Sequence, residues 1–213
     1  MKGTPTRAAK GAAKGAAKGA AKLAAKVATR EGGKGTAAPT PAGRKWALPR
    51  VPRVAGERRY WLLKTEPDVF SFDDLRSAPG ATTYWDGVRN FQARNYLRDE
   101  MRLGDGVLIY HSGIDEPAIA GIAEVVREGY PDHTAFDADD AHFDPKSDRS
   151  SPTWMMVDVR AVVPLNDPIT LGALRATPSL AEMILLQRGS RLSVQPVSAD
   201  EWETITRMAG VRA

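Results

Sequence analysis

The chain contains no cysteine, which excludes disulfides and thiolate metal sites. No stretch approaches the ~20 consecutive apolar residues that a membrane-spanning helix requires. The lysine-bearing N-terminus lacks the apolar core of a signal peptide. A soluble, cytoplasmic protein with no membrane partner is the expectation. Common catalytic signatures are missing too: there is no Gly-x-Ser-x-Gly, no phosphate loop and no dinucleotide fingerprint. Residues 132–144 (DHTAFDADDAHFD) are rich in acid and carry two histidines. They lack the glycine and terminal glutamate of a calcium loop, and no His-Glu-x-x-His occurs. The stretch reads as a polar loop, and neither a metal nor a cofactor is expected. Acid is scarce in one region only. Residues 1–56 hold thirteen Lys or Arg against the single acid Glu31, a net +12, whereas the remainder of the chain is −8. A charge split of this kind marks a polyanion-binding arm on a domain that is not itself generally basic.

Within the arm, Lys10, Lys14, Lys18, Lys22 and Lys26 recur with a period of four. The segment has almost nothing to bury, so no core offsets the entropy of ordering it, and it reads as disordered. Ala and Lys favour helix, but Gly11, Gly15 and Gly19 each cost about 1 kcal/mol relative to Ala. A phosphate backbone that neutralised the lysines would gather them on one slowly drifting helical stripe. The five lysines are therefore the candidate contacts to a DNA or RNA backbone. The pattern resembles the Lys/Ala-rich tails of linker-histone-like nucleoid proteins, which extends the cytoplasmic expectation to the nucleoid. The alternative is a flexible solubilising linker. Residues 36–52 are Pro-rich and read as a semi-extended spacer, with Trp46 and Leu48 as candidates for docking on the domain.

From residue 57 the pattern changes. YWLLKT (60–65) is an aromatic-rich apolar strand that must stop at Glu66-Pro67, because proline cannot donate to a ladder. Ser71, with Asp74 three residues on, is close to a capping box and predicts a short helix. Residues 82–85 predict a strand entering the Asp86-Gly87 turn. Apolar positions 91, 93, 97 and 101 predict a helix over 90–101. Strands are expected over 107–111, 118–127, 154–163 and 192–197. A long polar loop, 131–152, separates the fourth of these six strands from the fifth, whose Met155, Val157, Val159, Ala161 and Val163 share a face. Short helices are expected over 170–176 and 179–186, and a capped one from Ser198. Strands and short helices without a regular βαβ period argue for an α+β fold built on a small mixed barrel.

The blocks YWLLKTEPDVFSFDDL, WDGVRNFQARNYLRD, VLIYHS, GIAEVVREGYPD, FDPKS, WMMVDV and RLSVQPV occur in that order. Together they resemble the bacterial EVE domain of the thymocyte nuclear protein-like family. The resemblance spans residues 59–207, within a domain drawn as 57–213. It implies a PUA-like barrel related to YTH and ASCH domains, and a pocket for a flipped, modified nucleobase, best supported for modified cytosine in DNA. In related YTH readers the base sits in an aromatic cage. By that likeness Lys64, Thr65, Glu66 and Pro67 form the wall next to the first strand, and Trp85 stands at the cage tryptophan of the second strand. The chemistry is sensible for a flipped base, which offers a π-face and a hydrogen-bonding edge. An indole stacks on the former, and a carboxylate such as Glu66 accepts from an exocyclic amine.

Asn90, Gln92, Arg94 and Asn95 bring amides and a guanidinium to a helix start, where they suit phosphate or base edges. Asn90 is equally suited to a plain N-cap. Ser112, after the 107–111 strand, is a cap or a ligand contact, and His111 beside it fits a satisfied core histidine. Trp85 on its own terms is a buried core aromatic, and Lys64 with Glu66 a solvated strand-end ion pair. The functional expectation is a monomeric binding module rather than an enzyme. The alternatives are an ASCH-like amidohydrolase using Lys64 and Glu66, or a module for a small molecule or partner protein.

Overall fold

A computed structural model of the chain describes residues 52–211. The basic arm with its five lysines, Trp46 and Leu48 lies outside the described residues. The first strand, β1 (Tyr60–Thr65), runs parallel to β3 (Gly106–His111) and antiparallel to β6 (Val194–Val197). The others, β2 (Thr82–Trp85), β4 (Ala118–Pro131) and β5 (Met155–Thr170), complete a six-stranded mixed sheet in the order β2-β5-β4-β3-β1-β6. The fold is α+β, as expected.

Both faces of the sheet are covered, so its central strands read as nearly continuous apolar runs. Trp61 and Leu63 of β1, with Val107 and Ile109 of β3, enter one core. Trp85, Val88 and residues of α1 (Phe72–Ser77) and α2 (Phe91–Asn95) close it. Leu62, Leu108 and Tyr110 point the other way, into a second core. That core is sealed by α3 (Leu171–Arg175), the Pro178–Leu180 and Ile184–Leu186 turns, and α4 (Ala199–Met208). Both capping boxes form, Ser71 with Asp74 and Ser198 with Glu201. No helix among the described residues is long and apolar enough to cross a membrane.

Three expectations need correction. The helix predicted over 90–101 is one α turn followed by a wide π turn, Tyr96–Glu100, closed by Met101 N–H donating to the Tyr96 carbonyl at 2.9 Å. Leu97 and Met101 both reach the core through this turn. The Leu97 carbonyl lies on β4 at Gly129, where a Cβ would stand 2.4 Å from that oxygen. The helix predicted over 179–186 is two 3₁₀ turns. Leu180 and Met183 are buried three apart, a spacing that suits three residues per turn. Strands β4 and β5 outrun their predicted ends. Register shifts along the β4–β5 ladder let the pairing run past Pro164 and Asp167, Gly121 standing opposite Pro164.

The packed structure also reaches back beyond residue 57. Arg53 forks onto Asp105, Nη1 to Oδ1 at 2.8 Å and Nη2 to Oδ2 at 2.7 Å. Its two nitrogens also donate to the Glu57 and Glu100 carbonyls. Arg53, counted by composition with the basic arm, is thus bound to the folded domain.

Candidate nucleic-acid interface

The end of β1 and the end of β3 lie side by side, because the two strands are parallel. The Thr65 carbonyl accepts from the Ser112 amide at 2.7 Å and from the Ser112 hydroxyl at 3.3 Å. The Thr65 hydroxyl donates to the Phe70 carbonyl. Thr65 is fully buried, so this pair closes a frame rather than facing outward. Glu66 follows with only 4% exposure, and its carbonyl accepts from the Val69 and Phe70 amides. Its carboxyl packs on Gly113, which a positive φ of 76° places in the turn after β3. Lys64 and Pro67 flank it, both partly exposed. His111 is half-buried and bonded within the domain: its Nε2 accepts from the Phe72 amide at 3.1 Å. Burial lowers its pKa, which favours the neutral ring that such acceptance needs.

Trp85 ends β2. It is 4% exposed and packs in the first core with Phe70, Phe72 and Val88. The chain then turns through Asp86 and Gly87. Gly87 has a φ of 70°, and its amide donates to Asp132 Oδ2 at 2.9 Å. Asp132 is the hub of the segment that the sequence presents as a polar loop. It accepts from Arg89 Nη1 at 2.6 Å, and from the Thr134 amide and hydroxyl at 2.9 and 2.6 Å. Burial opposes its charge, but the Arg89 guanidinium, Thr134 and the Gly87 amide outweigh it and hold the carboxyl below the usual range. Arg89 also holds the His142 carbonyl through Nε at 2.9 Å. Loop 132–144 is therefore fastened to the 86–89 turn by buried charge.

Asp86 has no such support. It is 3% exposed, and neither carboxyl oxygen has a hydrogen-bond partner among the described residues. Burial pushes its pKa up to about 8, helped by the negative Asp132 and Asp140 and opposed by its own backbone amide and Arg89. The carboxyl is therefore neutral over most of the physiological range.

On α2, Asn90 acts as the N-cap, accepting from the Gln92 and Ala93 amides at 2.9 and 3.1 Å. Gln92 donates to the Tyr96 hydroxyl at 3.0 Å. Arg94 spans Asn95 Oδ1 at 2.9 Å and the Thr153 carbonyl at 2.6 Å. That last bond ties α2 to the approach to β5. Between them lies an aromatic ladder: Phe91 stacks on Trp154 at 5.0 Å, Arg89 lies 5.3 Å from the indole, and Arg94 lies 5.2 Å from the phenyl ring. The structure thus gathers the expected site residues into two groups, one at the β1–β3 ends and one on α2. Trp85 shares a core with residues of β1 and α2.

The EVE domain profile matches residues 59–208. The chain belongs to the EVE domain family. Human thymocyte nuclear protein 1 is 41% identical over 163 residues, covering 68% of this chain and 72% of that protein. A protein from Leishmania major described as hypothetical superposes with a TM-score of 0.69 at 48% identity, over 74% of this chain and 98% of that one. Human THYN1 in complex with DNA containing 5-methylcytosine superposes with a TM-score of 0.68 at 40% identity, over 73% of this chain and 99% of that one.

Two features of this EVE domain are not legible in its sequence. Asp86 reads as a turn residue beside Gly87, and nothing local signals that its carboxyl is buried without a partner. Phe91 and Trp154 lie 63 positions apart, and only the tertiary fold stacks them. A local signal does exist for Asp132. An Asp two residues before Thr134 is a side-chain-to-backbone turn in the making.

Proposed function

We propose that this EVE domain reads a modified base in DNA, a modified cytosine in the first instance, while the basic arm holds the duplex without regard to sequence. One observation carries the reading: a relative at 40% identity, covered over 99% of the chain in its solved structure, is described in complex with 5-methylcytosine DNA. In this reading Lys64, Glu66, Pro67 and Trp85 face the base. Thr65, Ser112 and Asn90 hold their strands and turn in register, which fits their internal bonds. Gln92, Arg94 and Asn95 serve the phosphate side of α2. Trp85 is nearly covered, so its indole face becomes available to a base only when neighbouring side chains move. That couples extrusion of the base to opening of the pocket.

The role of Trp85 is tested with core-compatible variants. Trp85→Phe keeps an aromatic face and is expected to retain the preference for a modified over an unmodified oligonucleotide. Trp85→Leu keeps an apolar side chain without a π-face and is expected to lose about 1–3 kcal/mol of it. Equal preference in folded Trp85→Leu and wild type would remove the indole from the pocket.

The arm is tested by salt. Each phosphate neutralised contributes roughly 0.9 to the slope of log K against log salt concentration on duplex DNA, so with Lys10, Lys14, Lys18, Lys22 and Lys26 each neutralising one phosphate, removing residues 1–51 is expected to flatten the slope by about 4–5. An unchanged slope would transfer the phosphate contacts to the domain.

A further inference from the structure

An isolated exposed apolar side chain on a protein surface needs no explanation. Phe91 is 61% exposed but not isolated. Trp154 supports its ring at 5.0 Å with an interplanar angle of 30°. Trp154 is itself fixed, its indole N–H donating to Asp144 at 2.6 Å and Arg89 lying over its ring. Arg94, 5.2 Å from the phenyl ring, is anchored to the Thr153 carbonyl. The outward phenyl group is thus held in place, backed by a buried indole and flanked by the Arg94 guanidinium, while Arg89 lies over the indole behind it and pairs with Asp132. It projects from a domain whose own charge is negative. A duplex suits this pairing of a protruding ring with a neighbouring cation, because a stacked base step is an apolar slot bordered by phosphates. Phe91 also stands only six residues after Trp85.

We propose that Phe91 is a wedge: it enters the duplex stack at the step from which the base is extruded, with Arg94 meeting the adjoining phosphate. The proposal rests on the reading of this domain as one that takes up a flipped base, and it supplies what that reading leaves open, the fate of the gap in the stack. Extrusion costs the stacking and pairing of the extruded base. An inserted apolar side chain regains part of that contact area, as wedges do in proteins that unstack base steps. A base already in a single strand needs no wedge. Phe91 therefore acts on duplexes and not on the base itself.

The experiment uses the full chain at raised salt, where the arm contributes least. Wild type, Phe91→Ala and Phe91→Leu are titrated with a duplex carrying one 5-methylcytosine and with the same strand unpaired. A fluorescent 2-aminopurine beside the modified base reports unstacking. Phe91→Ala is expected to lose about tenfold in duplex affinity, together with most of the fluorescence rise, and to stay within about twofold of wild type on the single strand. Phe91→Leu, an apolar wedge of another shape, is expected to restore most of the duplex affinity. An equal loss on both substrates, or none on either, overturns the proposal. The base-reading itself is scored separately, by the wild-type ratio of modified to unmodified single strands. Melting curves of both variants confirm that they are folded, which the exposure of residue 91 favours.

Discussion

Cutting the chain before Glu57 rather than before Pro52 is expected to cost about 2–3 kcal/mol of folding stability, because the cut removes Arg53 from a buried carboxylate. Asp105 is fully buried. Its Oδ1 also accepts from the Arg59 amide, and its Oδ2 from the Arg102 amide and the Trp61 indole, at 2.9–3.0 Å. These three donors keep the penalty below the full cost of stranding a charge. The fork from Arg53 nonetheless supplies the only neutralising cation bonded to it among the described residues. Chemical denaturation of chains starting at 52 and at 57, and of Arg53→Met in the longer one, checks this. The shorter chain and the Met variant should share one loss. Adding Asp105→Asn should make the Arg53→Met cost smaller, since the two side chains act as a pair. Equal midpoints for the two lengths would mean that Arg53 contributes nothing.

Asp86→Asn is expected to stabilise the protein increasingly as pH rises from about 4 to about 8. A carboxyl whose pKa is raised to about 8 in the folded chain, mainly by burial, holds its proton there while the unfolded chain releases it near the ordinary value. Between those two pH values the folded state binds more protons than the unfolded state, so stability falls with rising pH. The penalty is absent below the unfolded pKa and complete above the folded one. Asparagine carries no such proton. A tenfold difference in proton affinity between the two states corresponds to about 1.4 kcal/mol, so the gap between variant and wild type reaches a few kcal/mol at pH 8, or on the order of 5–10 °C in melting temperature. Melting curves of the two proteins at pH 4.5, 6 and 8 check the trend. A difference that does not change with pH would show that Asp86 is ionised or solvated throughout.

The parts of the fold legible in the sequence are those set by neighbours along the chain. Proline at 67 ends β1, and Ser71 and Ser198 with their acids three residues on start helices. Asn90 caps α2 because its side chain needs only the next two or three amides. What is not legible depends on distant partners. The π turn at 96–100 answers to Gly129 on β4, and β5 runs on to Thr170 because bulges keep it paired to β4. Arg53 looks like one more cation of a basic arm until Asp105 is seen beneath it. For the site, the sequence motifs name candidate side chains without saying which of them are consumed internally. Thr65, Ser112 and Asn90 carry polar groups suited to a ligand, yet the structure uses them on the backbone. Phe91 looks like a core position of an amphipathic helix, but it stands two positions, about 200° around the helix, from the buried Ala93 and so faces outward.

The central claim, that the folded domain selects a modified base while the arm supplies indiscriminate affinity, is tested most directly by one paired titration. The full chain and the chain starting at Pro52 are each measured against matched duplexes carrying cytosine or a panel of modified cytosines, at fixed salt. Removing the arm should weaken both duplexes by a similar factor and leave the ratio of modified to unmodified affinity unchanged, because phosphate contacts position without specifying. A ratio of one across the panel, or a preference that disappears with the arm, would contradict it.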